Sequence, residues 1–154
     1  MVAILANIRS LHNVGSIFRT ADAAGVEKLY LVGITPSPLD RFGKIRPQVA
    51  KVALGAEKSV AWEKTGSVLR TIGELKKSGY KIWAIEQSKK SIPYFRVTTP
   101  RGSGVALIVG NEVRGLPAAV LKKCDKILEI PMRGNKESLN VAVAFGIVVF
   151  QLLR

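Results

Sequence analysis

Short apolar runs alternate along this chain with amphipathic stretches of helical period. Val2-Ala-Ile-Leu-Ala, Lys28 to Ile34, Val60 to Glu63, Lys81 to Glu86, Gly104 to Val109 and Ile127 to Ile130 read as strands. Between the first two, Val14, Ile17, Phe18 and Ala21 recur at i, i+3, i+4 and i+7 and mark the core face of a helix over residues 14 to 24. Asn13 is its expected N-cap and Gly25 its terminator. Ser67 to Lys77 is a second amphipathic helix, with Val68, Leu69, Ile72 and Leu75 facing inward and Gly79 ending it. Pro117 starts a short helix. The repeated β-α-β order predicts an α/β fold with a mainly parallel, six-stranded sheet and helices on both faces. At 154 residues the chain, 1–154, fits one domain.

The last helix breaks the amphipathic rule. Leu139, Val143, Gly146, Ile147 and Phe150 fall on one side, and Val141, Phe145, Val148 and Leu152 on the other. A helix apolar on both sides belongs inside a large protein or between subunits. The pattern therefore predicts a homodimer built on this C-terminal helix. The apolar run from Val141 to Phe150 is too short to cross a bilayer, and no signal peptide precedes the first strand, so no membrane partner is expected.

Charge changes the picture more than composition does. Lysine and arginine number 24 against 11 acids, a net charge of +13, which favours a polyanionic partner, with nucleic acid first. Arg41, Lys44, Arg46 and Lys51 form an acid-free cationic stretch suited to phosphate contact, and Arg9 adds a cation after the first strand. Tyr94-Phe95 beside Arg96 is compatible with base stacking, although core cover is the commoner use of such a pair. The lone Cys124 excludes an internal disulfide and suits the cytoplasm, where helix-end packing is its expected role. With one cysteine and one histidine, no His/Cys metal cluster is expected.

No hydrolase elbow, P-loop or dinucleotide fingerprint is present. Three polar clusters remain in the loops: Asn13 with Arg19, Gly110-Asn-Glu with Gly115-Leu116, and Ser138 with Asn140. Each has a plain alternative. Asn13 and Ser138 could be caps only, Arg19 a partner for Asp22, and Glu112 a solvated acid. Their occurrence together is what these alternatives explain poorly. Gly15, in the first turn of its helix, leaves the backbone open to close approach.

Asn13-Val-Gly-Ser-Ile-Phe-Arg-Thr-Ala-Asp-Ala-Ala-Gly, Leu107-Ile-Val-Gly-Asn-Glu-Val-Arg-Gly-Leu and Ile130-Pro-Met-Arg-Gly-Asn-Lys-Glu-Ser-Leu-Asn-Val-Ala-Val-Ala resemble, in order, the three motifs of the SpoU (TrmH-like) RNA 2′-O-ribose methyltransferases. The resemblance covers essentially the whole chain. It implies a SPOUT-type fold with a C-terminal trefoil knot, S-adenosylmethionine as cofactor, and a homodimer whose site takes residues from both subunits. By motif match, Asn13, Arg19, Glu112, Ser138 and Asn140 are the expected catalytic set. Ile85, Gly110, Ile130, Met132, Ser138 and Leu139 are expected to border the cofactor. Arg9, Arg41, Lys44, Arg46 and Lys51 are the candidate RNA contacts. The chain begins near its first strand and stops with its last helix, so recognition is expected from the core's own surface, with tRNA favoured over rRNA. A non-catalytic basic RNA-binding protein of the same fold is the alternative, and methylation of a base rather than ribose a further one.

Overall fold

The computed structural model describes residues 1–154. Seven strands form one sheet in the order β3-β2-β1-β6-β4-β7-β5, and every neighbouring pair is parallel. The strands are β1 (Val2–Ala6), β2 (Lys28–Val32), β3 (Ala61–Thr65), β4 (Lys81–Ile85), β5 (Ile92–Pro93), β6 (Val105–Val109) and β7 (Lys126–Glu129). The helices are α1 (Leu11–Ala24), α2 (Pro47–Ala53), α3 (Ala56–Ser59), α4 (Val68–Lys77), α5 (Ala118–Leu121) and α6 (Val141–Leu153). The sheet thus has seven strands rather than the six expected. The extra one is two residues long, too short for an alternating pattern to reveal it, and exists through its pairing with β7.

Alternation along the central strands divides the core. Ala3, Leu5, Leu29, Leu31, Leu107 and Leu128 meet α1, α2, α3 and α6 on one face. Ile4, Ala6, Ile82, Ala84, Ala106 and Ile108 meet α4 and α5 on the other. β1 and β6 are buried at every residue because both faces are covered. The chain runs outward from β1 through β2 to β3, then crosses to the far side of β1. The strand order therefore reverses between β1 and β6, and ligands in open α/β sheets bind beside such reversals at the carboxyl ends of the strands.

Helix α1 starts three residues before the expected point. Ser10, not Asn13, is its cap: the Ser10 Oγ accepts a hydrogen bond from the Asn13 backbone N–H at 3.1 Å. Gly25 ends it in the left-handed conformation, as expected. In α4 the inward residues are Thr71, Ile72 and Leu75, whereas Leu69 is exposed. The Thr71 hydroxyl is satisfied by the Ser67 carbonyl and the Thr65 hydroxyl, so the polar residue takes the buried place. The cationic segment ends in α2, which packs on α1. Gly15 allows this: a Cβ there would lie 2.8 Å from the Val49 carbonyl oxygen and 3.0 Å from the Val52 Cβ. The close approach foreseen at Gly15 is made by a neighbouring helix. Cys124 is half-buried, its thiol donates to the Val120 carbonyl, and burial pushes its pKa up to about 11.

No helix is long and apolar enough to cross a membrane. Helix α6 buries Ala142, Phe145, Val148, Val149 and Leu152 and leaves Val143 and Phe150 about half exposed.

Two glycine substitutions separate packing from propensity. Gly15→Ala is expected to destabilise the fold by about 1–3 kcal/mol, because α2 must move. Gly73→Ala, in open space within α4, should stabilise it by about 0.5–1 kcal/mol. Urea denaturation of the two variants measures both.

Candidate active site

A cleft of about 350 Å³ opens at the carboxyl ends of β4, β6 and β7. Its apolar wall includes Ile85, Val109, Leu128, Ile130, Met132 and Leu139, and its polar rim includes Asn13, Glu112, Ser138 and Asn140. Lysine and arginine are absent from its lining, whereas Glu86, Glu112 and Glu129 are present. In a chain of net charge +13, this is a local reversal of sign.

The rim is held by a chain of hydrogen bonds. Glu112, in the loop after β6, accepts from the backbone N–H groups of Arg9 at 3.0 Å and Ser10 at 3.0 Å. These are free donors at the start of α1, a position that favours an anion. The Glu112 carboxylate also accepts from Asn13 Nδ2 at 3.1 Å. Asn13 is buried, and its Oδ1 accepts from Asn140 Nδ2 at 3.0 Å. Asn140 Oδ1 in turn caps α6 by accepting from the Ala142 and Val143 N–H groups. The three motifs, distant in sequence, are thereby joined through side chains. Burial raises the Glu112 pKa, but the donors from Arg9, Ser10 and Asn13, with its own backbone N–H, outweigh this and hold it below the ordinary value of 4.5. Glu112 is a carboxylate at neutral pH and accepts only.

Gly110 is buried under the returning loop. A Cβ there would meet the Gly115 carbonyl carbon at 2.7 Å and Leu116 Cγ at 2.8 Å. Glycine is required because the loop folds back on the strand end. Three further residues fix the walls: Glu86 and Gln87, which lie outside the three motifs, and Asn111, which lies within the second. Glu86 Oε2 accepts from the Leu116 N–H at 2.9 Å. Gln87 donates to the Glu137 carbonyl and so ties the loop after β4 to the loop after β7. Asn111 donates to the Asn7 carbonyl at 2.8 Å and accepts from the N–H groups of Val113 and Arg114.

Of the expected cofactor-bordering residues, Ile85, Gly110, Ile130, Met132, Ser138 and Leu139 all line this cleft. Of the expected catalytic set, Asn13, Glu112, Ser138 and Asn140 do so and Arg19 does not. Arg19 is exposed on α1. It follows Asn13 by six positions, about 240° around the helix, or about 120° the shorter way, at ~100° per residue, so the two side chains leave α1 on different sides. Nor is Arg19 paired with Asp22, whose carboxylate accepts from the Ser59 hydroxyl at 2.6 Å. Arg9, Arg41, Lys44, Arg46 and Lys51 lie outside the cleft. Arg46 is half-buried, and its Nε donates to the Ser37 carbonyl, so part of its guanidinium serves the fold.

Residues 1–150 match the model of the SpoU rRNA Methylase family. The chain belongs to that family. Its curated relatives include the 23S rRNA (guanosine-2′-O-)-methyltransferase RlmB of Ralstonia nicotianae, 33% identical over 154 residues, which are 100% of this chain and 58% of that protein. Among solved structures, the TrmH/SpoU tRNA modifying enzyme of A. aeolicus superposes with a TM-score of 0.83 at 32% identity, over 99% of this chain and 73% of that one. The AdoMet-bound rRNA methyltransferase of Sinorhizobium meliloti superposes with a TM-score of 0.87 at 28% identity, over 97% of this chain and 54% of that one. The chain thus spans about three fifths of the length of the curated relatives it matches.

The lowered pKa of Glu112 fixes the sign of a pH effect. A depressed carboxylate contributes stability above its unfolded value, and this is lost as the pH falls through the folded value. Denaturation midpoints measured between about pH 3 and 7 should therefore decline less steeply on the acid side in Glu112→Gln than in the wild type. An identical acid limb in the two proteins would contradict this account.

Proposed function

We propose that this chain methylates a ribose 2′-hydroxyl in RNA, with S-adenosylmethionine as donor. The observation that carries the reading is the hydrogen-bonded junction of Glu112, Asn13 and Asn140 on the rim of an apolar, lysine- and arginine-free cleft. The cleft volume, about 350 Å³, lies in the range of cofactor sites. Its apolar wall suits an adenine ring, and its three glutamates suit a cation. Both properties fit the donor. The name of the AdoMet-bound relative supports the same assignment.

When bound, S-adenosylmethionine supplies a methyl group already activated by a positively charged sulfur. The protein then has chiefly to position the ribose and provide for its proton. Asn13 is held from both sides, so its amide is preorganised. Asn140 is fixed by capping α6, and Ser138 stands exposed at the cleft mouth, where it is free to meet the ribose. Arg19 is unsuited to be the base, since a guanidinium is a donor of hydrogen bonds and has no lone pair to accept a proton. Its charge instead favours the ionised 2′-oxygen or holds the neighbouring phosphate. The proton leaves to a phosphate oxygen or water.

Arg19 lies outside the cleft of its own chain, which supports a site completed by a second copy, with the partner subunit's Arg19 entering the cleft. The exposed Val143 and Phe150 of α6 are the surface through which the homodimer forms. The trefoil knot belongs to the same reading. Strand β7 lies between β4 and β5, and the segment following it meets the loop after β4 at the Gln87–Glu137 hydrogen bond. We read residues 1–154 as one SPOUT methyltransferase domain acting on cytoplasmic RNA. Relatives named for 23S rRNA and for tRNA both align over nearly the whole chain, so the expected preference for tRNA has no support from them. The proposal covers structured RNA of either kind.

Calorimetry with S-adenosylmethionine and nuclease mapping of methylated tRNA and rRNA test the proposal. Donor binding and a 2′-O-methylated nucleotide are expected. Absence of donor binding would sink it and leave the non-catalytic RNA-binding alternative. Arg19→Lys keeps charge but loses the planar fork, and should reduce methyl transfer by roughly 100-fold with donor affinity unchanged. Val143→Glu with Phe150→Glu should yield an inactive monomer by light scattering, and an active monomer would refute the two-subunit site.

A further inference from the structure

The loop between β2 and α2 stands at the same edge of the sheet as the cleft but takes no part in it. β2 is separated from β6 by β1 alone, so at strand spacings of ~5 Å the loop starts about 10 Å to one side of the cleft. Arg9, in the loop after β1, lies between the two.

This loop is a fixed turn. Leu39 and Ile45 pair in antiparallel fashion. The Asp40 N–H donates to the Lys44 carbonyl at 2.7 Å, and Arg46 N–H donates to the Pro38 carbonyl at 2.8 Å. Asp40 Oδ1 accepts from the N–H groups of Phe42 and Lys44 at 2.8 and 3.0 Å, which engages the one acid between Thr35 and Ala56. The base of the loop is anchored by buried Thr35, whose hydroxyl donates to the Leu5 carbonyl at 2.7 Å, and by Lys64, which donates to the carbonyls of Gly33 and Thr35.

The turn presents Phe42 at its tip. Phe42 is 73% exposed, more than any other phenylalanine of the chain, and the Arg41 guanidinium lies 4.7 Å from its ring centroid. Lys44, in the same turn, and Lys51, in α2, add further exposed positive charge. A rigid turn that exposes an aromatic face among cations matches the physics of single-stranded nucleic acid binding, in which a base stacks on the ring and the cations meet the phosphates. Because the turn is already ordered, little entropy is lost on binding. The Tyr94–Phe95 pair is a poorer platform: its rings meet edge to face at 5.4 Å, and Tyr94 packs against the core.

We propose that Phe42, backed by Arg41, is a stacking site for an unpaired RNA base a few nucleotides from the methylated ribose. This rests on the RNA-methylating reading above and adds to it a preference for targets in loops or other single-stranded segments. The charge balance of the loop favours RNA over a protein surface.

Fluorescence anisotropy with a labelled RNA hairpin, and with a fully paired duplex of its stem sequence, tests the proposal. Phe42→Ala should weaken hairpin binding roughly five- to hundred-fold, with the salt slope, duplex affinity and calorimetric S-adenosylmethionine affinity unchanged. Phe42→Trp should retain hairpin binding. Lys44→Ala should instead lower the salt slope by about one unit. Hairpin binding by Phe42→Ala at wild-type affinity, or an equal loss on the duplex, overturns the stacking site alone. Wild-type protein that binds neither RNA overturns the RNA reading itself.

Discussion

Asn13 is buried and makes its side-chain hydrogen bonds to two other parts of the chain: its amide N–H reaches Glu112 and its carbonyl receives Asn140. Leaving a buried amide unpaired costs about 1–3 kcal/mol, so the position of α1 is tied to the loop after β6 and to the start of α6. Glu112 anchors the other end on the free N–H groups ahead of α1, and Asn140 passes the constraint into α6 as its cap. No member can move without leaving another unpaired. Since these same groups form the rim of the cleft, the hydrogen bonds that fix the packing of two helices also fix the geometry of the site.

The sheet makes this junction possible. Its strands are all parallel, so every loop leaving a carboxyl end emerges at one edge. The central strands carry apolar side chains on both faces, which lets helices cover both sides and leaves that edge for polar groups. Glycine at 110 lets the loop after β6 fold tightly over the strand end, and Gln87 joins the loop after β4 to the loop after β7. The result is a pocket with apolar walls, an ordered polar rim and negative charge within a strongly basic protein. The lysines and arginines lie outside it and leave its lining free of positive charge.

Much of this was legible in the sequence, because local pattern and burial agree. The period-2 and period-3.6 runs located most strands and helices, and glycine and serine marked several of their ends. The three polar motifs named most of the rim, since polar side chains between apolar elements must find partners at strand ends. β5 escaped notice because two residues carry no period. The cap of α1 was misplaced because Ser10 and Asn13 are both good caps, and only the tertiary contact to Glu112 and Asn140 claims Asn13 for another use. Leu69, expected inward, is exposed and Thr71 is buried, because local periodicity cannot see the Thr65 hydroxyl that satisfies Thr71.

The sequence alone determined the α/β class, the family motifs and the basic character of the surface, all of which depend on neighbouring residues or on counts. Tertiary structure decided which side chains meet. It brought Glu112, Asn13 and Asn140 together across roughly a hundred residues of chain, turned Arg19 away from its own cleft, and raised Phe42 on a rigid turn. These outcomes depend on helix rotation, strand order and loop closure, which are properties of the packed whole and have no local signature.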